Sequence, residues 1–367
     1  MTRSISKSLC LIGIFSALML VSAQACDSGD DGDDDADATG DPVPEIEIEI
    51  VEDPVDDPVP DESPDPVEDP ADDPAPDPVD DAVDTPAEEI TPTTCESLHE
   101  GTNSFFMVDG EPREFILNLP DGVEEGGPWA VVFNWHGLGD TAANMARMFT
   151  GLVNNEDMPF IGVTPEDTDF LLAGTMSVDW DVFAVTENNK EARLFDEVLA
   201  CLDERFGVDE DHVHSVGFSL GGILTDMLAT IRGEQLASLV TYSGGYWSNP
   251  VNVTGMMSMV INWPEYTVDN TYAQIFLHGG TTDLYDMTLV QLHFDQYAVN
   301  DTAFLNEKGH DAIICNHGLG HTAPPDFLYN KVIKFFADHP LGTADSPYAA
   351  ELPADYPEYC EFSGKTE

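Results

Sequence analysis

The sequence predicts an α/β domain in which helices cover both faces of a mostly parallel sheet. Short, uniformly apolar runs are typical of parallel strands that are buried on both faces, and helical stretches separate them as parallel crossovers require. Two antiparallel strands, at 104–108 and 114–119, precede this alternation. The expected core strands are 129–134, 160–164, 213–218, 239–243, 274–277 and 312–315, and the expected helices are 141–153, 189–206, 219–231, 288–299 and 325–337.

The segment 189–206 shows the helical period most clearly. Apolar residues recur at three- and four-residue spacing, as a helix that packs against the sheet requires: Ala192, Phe195, Val198, Leu199 and Leu202. The connection 244–271 is long and rich in Trp and Met. Two interpretations stand for it: a partial lid or acyl-binding wall that includes Trp247, or a local hydrophobic cluster.

The most informative motif is Gly217-Phe218-Ser219-Leu220-Gly221, which lies between a β-branched strand and a helical stretch. A serine hydroxyl is a poor nucleophile and must stand clear of the sheet to reach both substrate and base. A sharp strand-to-helix turn does this, flanking glycines let it close, and the helix N-terminus favours an oxyanion. The motif therefore predicts a catalytic serine at position 219.

Two further residues follow predicted strands in the order that completes such a site. Asp283 lies in the loop after strand 274–277, and His321 follows strand 312–315. The order Ser, Asp, His with these placements predicts a nucleophile, a base and an orienting carboxylate. Asp286 and His317 are the alternatives. The backbone N–H groups of Leu138 and Leu220 are the expected oxyanion donors.

Together these motifs resemble the secreted polyhydroxybutyrate depolymerase and feruloyl esterase group, and the resemblance extends from about residue 95 to 338. It is carried by His136-Gly137, Trp180-Asp181, the serine motif, His278-Gly279 with Asp283, and Gly320-His321 with Pro324. It implies the α/β-hydrolase fold, catalytic Ser219, Asp283 and His321, and Trp180 near the acyl or leaving-group site. His136 and Trp247 are further substrate-binding candidates, although His136 could instead order its loop through hydrogen bonds.

The expected reaction is ester hydrolysis through an acyl-serine intermediate, without a cofactor or metal. The expected substrate is a polymeric ester such as a polyhydroxyalkanoate, and feruloyl or acetyl esters on plant polysaccharide are the alternative. A non-catalytic binding domain on the same scaffold is the remaining hypothesis. The complete Ser–Asp–His set argues against it.

The N-terminus has the features of an export signal. Arg3 and Lys7 precede an apolar stretch at 9–21, and Ala23-Gln24-Ala25 forms a small-residue cleavage site. Cys26 follows directly and predicts a lipid anchor, so the expected location is the cell surface or outer membrane. Ordinary cleavage and free secretion are the alternative. The predicted organisation is a signal peptide at 1–25, a linker at 26–94 and a catalytic domain at 95–367.

The linker and the domain are both acidic. Of the 71 acidic residues, 28 lie in residues 27–94, which contain no Lys or Arg and repeat an Asp-Pro-Val/Ala pattern, as expected for a disordered spacer. The catalytic domain contains the remaining 43 acidic residues and, apart from Arg3 and Lys7 of the signal segment, all ten other basic residues, so its net charge is about −33. This charge argues against nucleic-acid partners and against membrane contact other than through the anchor. We expect a monomer.

Four cysteines remain in the domain, namely Cys95, Cys201, Cys315 and Cys360. An even number in an exported chain predicts two disulfides, and none of the spacings is that of a zinc site. Cys95 and Cys360 bracket the domain, so the expected pairs are Cys95–Cys360 and Cys201–Cys315.

Overall fold

The computed structural model of the chain describes residues 92–366, except 169, 173–175, 187, 287–290 and 328. The expected signal peptide, Cys26 and nearly all of the linker lie outside the described residues. The strands are β1 Gly101–Val108, β2 Glu111–Asn118, β3 Trp129–Trp135, β4 Phe160–Pro165, β5 Phe170–Leu172, β6 Met176–Val178, β7 Val208–Phe218, β8 Ser238–Tyr242, β9 Ala273–His278, β10 Leu284–Asp286, β11 Gln291–His293, β12 Asp311–Asn316 and β13 Cys360–Ser363. The α-helices are α1 Ala142–Ala146, α2 Lys190–Phe206, α3 Leu220–Arg232, α4 Phe294–Glu307 and α5 Tyr329–Asp338.

A nine-stranded sheet organises the domain, in the order β1-β2-β4-β3-β7-β8-β9-β12-β13. The six strands from β4 to β12 run parallel, while β1, β2 and β13 pair antiparallel at the two edges. The predicted fold class is therefore confirmed. Since the carboxyl ends of the parallel strands share one edge, the loops after β3, β7, β8, β9 and β12 meet there.

The core lies on both faces of the sheet, which explains the uniform apolarity of its strands. Alternate residues of β3 point to opposite faces, so Val131 and Phe133 belong to one buried cluster and Val132 to the other. The first cluster includes apolar residues of α2, α3 and α4. The second is closed by α5, with Val332 and Phe336 fully buried.

Helix α2 follows the predicted period. The Asn189 side chain caps it by accepting hydrogen bonds from the amides of Glu191 and Ala192, and Gly207, with φ 77°, ends it. Four of the five expected apolar residues are buried, and Leu199 is partly buried. No helix among the described residues is both long and apolar enough to cross a membrane.

Three predicted helices differ from the observed ones. The helix expected at 141–153 is only α1, because a 3-10 turn follows at Arg147–Phe149 and Gly151 takes φ 78°. The helix expected at 288–299 is α4, which begins only at Phe294 because a short hairpin, β10 paired with β11, comes first. Helix α5 starts four residues later than the expected position 325.

The expected disulfide pairing is wrong. The bonds join Cys95 to Cys201 and Cys315 to Cys360, with Cα–Cα distances of 4.8 and 4.0 Å. Cys315 and Cys360 are directly opposite on β12 and β13, and β13 was not predicted from the sequence. Cys95, in a 3-10 turn before β1, is bonded to Cys201 of helix α2.

Candidate active site

Ser219 lies at the turn between β7 and α3, in a strained backbone conformation. Its φ of 55° and ψ of −117° fall where L-residues are rarely found. Its amide donates to the carbonyl of Tyr242 at 2.8 Å, and its carbonyl accepts from the amide of Ile223 at 3.0 Å. The ends of β8 and α3 therefore hold the turn in place.

Two glycines make this turn possible because other backbone atoms fill the space beside them. A Cβ on Gly217 would lie 2.1 Å from the carbonyl oxygen of Gly221. A Cβ on Gly221 would lie 2.1 Å from the carbonyl oxygen of Trp135, at the end of β3. Glycine is thus required at both positions because the backbones of β3, β7 and α3 pack too closely there to leave room for a side chain.

Three side chains from different loops form one hydrogen-bonded line. The Nε2 atom of His321 lies 2.9 Å from the Oγ of Ser219, and its Nδ1 atom lies 2.7 Å from the Oδ1 of Asp283. A carboxylate only accepts hydrogen bonds, so Nδ1 carries the proton and Nε2 can accept the Ser219 hydroxyl proton. This is the arrangement that a serine nucleophile and its general base require.

The carboxylate of Asp283 is fully buried, and both of its oxygens accept hydrogen bonds. Its Oδ2 accepts from the hydroxyl of Ser243 and from the amide of Gly279, each at 2.8 Å. Ser243, with φ 55°, follows β8 and was not identified from the sequence. Its position at the carboxyl end of the predicted strand 239–243 was the available signal, since the other site residues also lie at the carboxyl ends of predicted strands.

The loop of His321 is packed tightly against the loop of Asp283. The amide of Gly320 donates to the carbonyl of Gly279 at 3.0 Å, and a Cβ on Gly279 would lie 1.9 Å from the carbonyl oxygen of Gly320. The imidazole of His321 stacks on the Phe294 ring, with 4.8 Å between the ring centroids, and its centroid lies 5.0 Å from that of the Phe218 ring. These contacts fix the ring plane so that both nitrogens meet their partners.

The alternative residues lie elsewhere. Asp286 is exposed on β10, where it accepts from the Gln291 amide. The Nδ1 of His317 accepts from the backbone amide of Leu319, and its ring lies beside Tyr359. His278, at the end of β9, is buried and accepts from the amide of Gly280, and burial lowers its pKa.

The loop after β3 lies against the nucleophile. A Cβ on Gly137 would be 3.3 Å from the Cβ of Ser219, and the Leu138 side chain borders the same cleft as Leu220. Leu220 is the first residue of α3, where backbone amides have no helical acceptor and the helix dipole is positive. The expected oxyanion donors are thus on the two backbone segments that border Ser219.

The cleft beside Ser219 is small and apolar. None of its described lining residues is charged. Trp247 forms part of the wall, and its ring centroid lies 5.4 Å from that of Phe183 and 5.7 Å from that of Trp263. The connection 244–271 therefore supplies a wall that is packed into the core. The lining residues are Leu138, Val178, Phe183, Ser219, Leu220, Ile223, Trp247, Tyr285, Leu292 and Phe294.

The structure does not place His136 and Trp180 on the cleft surface, where substrate contact was expected. Both side chains are fully buried behind the loop after β3. The indole N–H of Trp180 donates to the carbonyl of His136 at 2.9 Å, and the two rings lie 4.7 Å apart. The indole needs a buried acceptor and finds it here, so both residues brace the loop that carries Leu138.

Acidic residues surround His136 on its far side. Its Nε2 lies 3.6 Å from the Oε1 of Glu166 and 3.9 Å from the Oδ1 of Asp167, and its Nδ1 lies 3.9 Å from the Oδ2 of Asp179. Burial, and then the nearby Asp179 carboxylate, raise the pKa of Asp167 to about 6. Asp179 also accepts from the amide of Gly139 at 2.6 Å, which ties this cluster to the Leu138 loop.

Comparison with solved structures settles the fold. Native pOPH superposes with a TM-score of 0.58 at 17% identity, over 75% of this chain and 98% of that chain. Native sOPH superposes with a TM-score of 0.55 at 18% identity, over 77% of this chain and 98% of that chain. In addition, residues 125–285 match the phospholipase and carboxylesterase family of hydrolases. The chain has the α/β-hydrolase fold.

The expected resemblance of the chain to feruloyl esterases is confirmed. It is 25% identical to feruloyl esterase D of Neurospora crassa over 158 residues, which cover 41% of this chain and 52% of that protein. It is 23% identical to feruloyl esterase C of Emericella nidulans over 165 residues, or 44% and 56% of the two chains. The chain thus spans about half the length of the curated relatives it matches.

Proposed function

We propose that the chain is an exported serine esterase that hydrolyses carboxylic esters through an acyl-enzyme intermediate. The observation that carries the proposal is the line from the Ser219 hydroxyl through His321 to Asp283, with distances of 2.9 and 2.7 Å. The strained turn at Ser219 supports it, because strain of this kind is kept where it serves function. The match of residues 125–285 to carboxylesterases points to the same chemistry.

The reaction begins when His321 removes the proton of Ser219 as the hydroxyl oxygen attacks the ester carbonyl. Asp283 keeps the proton on Nδ1 and stabilises the imidazolium that forms. The amides of Leu138 and Leu220 bind the oxyanion of the tetrahedral intermediate. His321 then protonates the leaving alcohol. Water, activated by the same imidazole, attacks the acyl-serine and releases the acid.

The cleft supports an uncharged acyl group as substrate. A free carboxylate in this apolar cleft would be desolvated without a described cationic partner. The strongly negative chain would also repel anionic polymers at low salt. We therefore propose that the substrate is a neutral polymeric ester, with a polyhydroxyalkanoate as the first candidate.

Feruloyl esters on plant polysaccharide are the second candidate. The names of the fungal relatives favour them. The cleft also offers aromatic walls at Phe183, Trp247 and Phe294, against which a feruloyl ring could stack. Acetyl esters of xylan would need only the small space nearest Ser219.

Export is proposed from the sequence alone. The basic, apolar and small-residue segments that precede Cys26 are those of a cleaved signal, and Cys26 is the proposed lipid attachment site. A lipid anchor would place the domain at the end of a linker that extends up to roughly 200 Å. That reach suits an enzyme that acts on an insoluble polymer outside the cell.

The test compares Ser219→Ala with the control Ser258→Ala. Ser258 is exposed, and among the described residues its hydroxyl donates a hydrogen bond only to the carbonyl of Gly255. Both variants should fold, as circular dichroism will show. Only Ser219→Ala should lose several orders of magnitude of activity on p-nitrophenyl acetate and butyrate. Retention of more than about 1% of the activity would overturn the assignment.

The substrate is decided by a direct comparison. The wild-type chain is incubated with a polyhydroxybutyrate film and, separately, with feruloylated arabinoxylan. Soluble hydroxy acids from the film with no ferulate release would establish the first candidate, and the reverse result the second. Ser219→Ala provides the blank in both assays.

A further inference from the structure

A buried imidazole and two carboxylates converge behind the loop that carries Leu138. His136 follows β3 and Glu166 follows β4, and these two strands are parallel neighbours, so their carboxyl ends lie side by side. One nitrogen of His136 and one oxygen each of Glu166 and Asp167 lie within 4.8 Å of one another. This group is separate from the Ser219–His321–Asp283 line.

The His136 ring is fully buried, and its Nε2 has no hydrogen-bond partner among the described residues. Its Nδ1 lies 2.9 Å from the carbonyl oxygen of Gly137, so Nδ1–H donates there. In the neutral ring this leaves a lone pair on Nε2, and that lone pair faces two carboxylates. Such an arrangement is repulsive unless a positive charge lies between them.

The distances distinguish the two positive charges that could lie there. At 3.6 and 3.9 Å, the Nε2 atom is too far from the carboxylate oxygens of Glu166 and Asp167 for a proton to form a good hydrogen bond. Zinc bonds to nitrogen and oxygen at about 2.0–2.2 Å, so one ion can bridge atoms separated by up to about 4.2 Å. Both distances fall within that span.

We propose that His136, Glu166 and Asp167 bind one divalent transition-metal ion, for which Zn²⁺ is the best match. An imidazole favours zinc over calcium or magnesium, and carboxylates complete a common zinc ligand set. The Gly137 carbonyl orients the ring through its other nitrogen, as the outer partners of metal-binding histidines do. The second oxygen of Glu166 accepts from the Ala142 amide at 3.1 Å, which orients that carboxylate.

The ion would be structural. It would join the end of β3 to the end of β4 at the root of the Gly137–Leu138 segment, which supplies a proposed oxyanion donor. Sequence spacing gave no sign of it, because the ligands are about 30 residues apart and meet only through strand pairing. The carboxylates of Glu166 and Asp167 remain 28% and 20% exposed, which leaves a path for an ion from solvent.

The test uses the full chain, stripped of metal with a chelator and titrated with ZnCl₂ by calorimetry. The acidic linker will bind Zn²⁺ weakly at many places, so the informative signal is one tighter site. Asp167→Asn should weaken that site at least about tenfold, and Glu166→Gln should do the same. The control is Asp157→Asn, which removes an exposed carboxylate of the turn before β4.

Thermal melting gives a second measurement. An ion that binds only the folded chain raises the melting temperature, so Zn²⁺ should stabilise the wild type and Asp157→Asn but neither ligand variant. The proposal is overturned if no single tight site exists or if the Asp167→Asn and Glu166→Gln variants bind Zn²⁺ like the wild type. It is also overturned if NMR of the Zn²⁺-saturated chain finds a proton on the Nε2 atom of His136.

Discussion

The strain at Ser219 can be measured by removing its Cβ. With φ 55° and ψ −117°, an L-residue at this position costs about 1–3 kcal/mol, whereas glycine adopts such a conformation readily. Ser219→Ala and Ser219→Gly both lose the hydroxyl and its contact with His321. They differ only in the Cβ, so the comparison isolates the backbone term.

A matched pair of variants at Thr150 removes the ordinary effect of exchanging alanine for glycine. Thr150 is exposed and has φ −56° and ψ 117°, which suits any residue. At this position glycine should be no more stable than alanine, because glycine loses more chain entropy on folding. At Ser219 the difference in unfolding free energy between the glycine and alanine variants should favour glycine by about 1–3 kcal/mol more than it does at Thr150.

The assay is thermal unfolding of the four variants by calorimetry. For a domain of this size, about 1 kcal/mol corresponds to roughly 2–4 °C, so the shift in the glycine-minus-alanine difference should be about 2–12 °C. The loss of a buried Cβ at Ser219 acts in the opposite direction, so any observed shift is a lower bound on the strain. Equal differences at the two positions would refute the strained-turn account.

Four further predictions concern the base, one buried acid, the disulfides and the salt response. His321→Ala should inactivate the enzyme as strongly as loss of Ser219, while His317→Ala should reduce kcat/KM by at most a modest factor. The reverse pattern would place the base at His317. Asp301 lies fully buried on α4, and burial raises its pKa to about 7 from 3.8. Its stabilising contribution is therefore complete below about pH 4 and is lost as pH rises through about 7. Asp301→Asn should therefore flatten the fall of unfolding free energy between pH 5 and 7 in urea titrations, and an unchanged slope would contradict the pKa. Peptide mapping without reduction should recover Cys95 linked to Cys201 and Cys315 linked to Cys360, and recovery of Cys95 with Cys360 would contradict the structure. The melting temperature of this chain, with its formal charge of −59, should rise from 0.1 to 1 M NaCl as the Debye length falls from ~10 to ~3 Å. A flat or falling melting temperature would count against self-repulsion as the cause.

The sequence revealed the parts of the fold that depend on local pattern. Uniformly apolar strands separated by helices predicted the parallel sheet, and the spacing around Ser219 predicted the sharp turn. The glycines at 217 and 221 are informative because backbone atoms lie within 2.1 Å of where their side chains would be. Asp283 and His321 were found because parallel strands place their carboxyl ends at one edge.

Features that arise from tertiary contacts were not predictable in this way. Strand β13 is four residues long and has no partner nearby in sequence, so its pairing with β12, and hence the disulfide pattern, was missed. Ser243 has no motif of its own, and its role depends on a hydroxyl that reaches Asp283 from the next loop. His136 belongs to a recognisable motif, but its partly exposed carboxylate neighbours Glu166 and Asp167 come from a different strand end.

The most direct test of the central claim is a search for the acyl-enzyme itself. The wild-type chain is mixed with excess p-nitrophenyl butyrate, quenched in acid within the first turnovers and digested for mass spectrometry. We predict a burst of p-nitrophenol together with one butyryl group on the peptide that contains Ser219, and neither signal in Ser219→Ala. Turnover by wild type without any adduct at Ser219, or an adduct on another residue that persists in Ser219→Ala, would contradict the account.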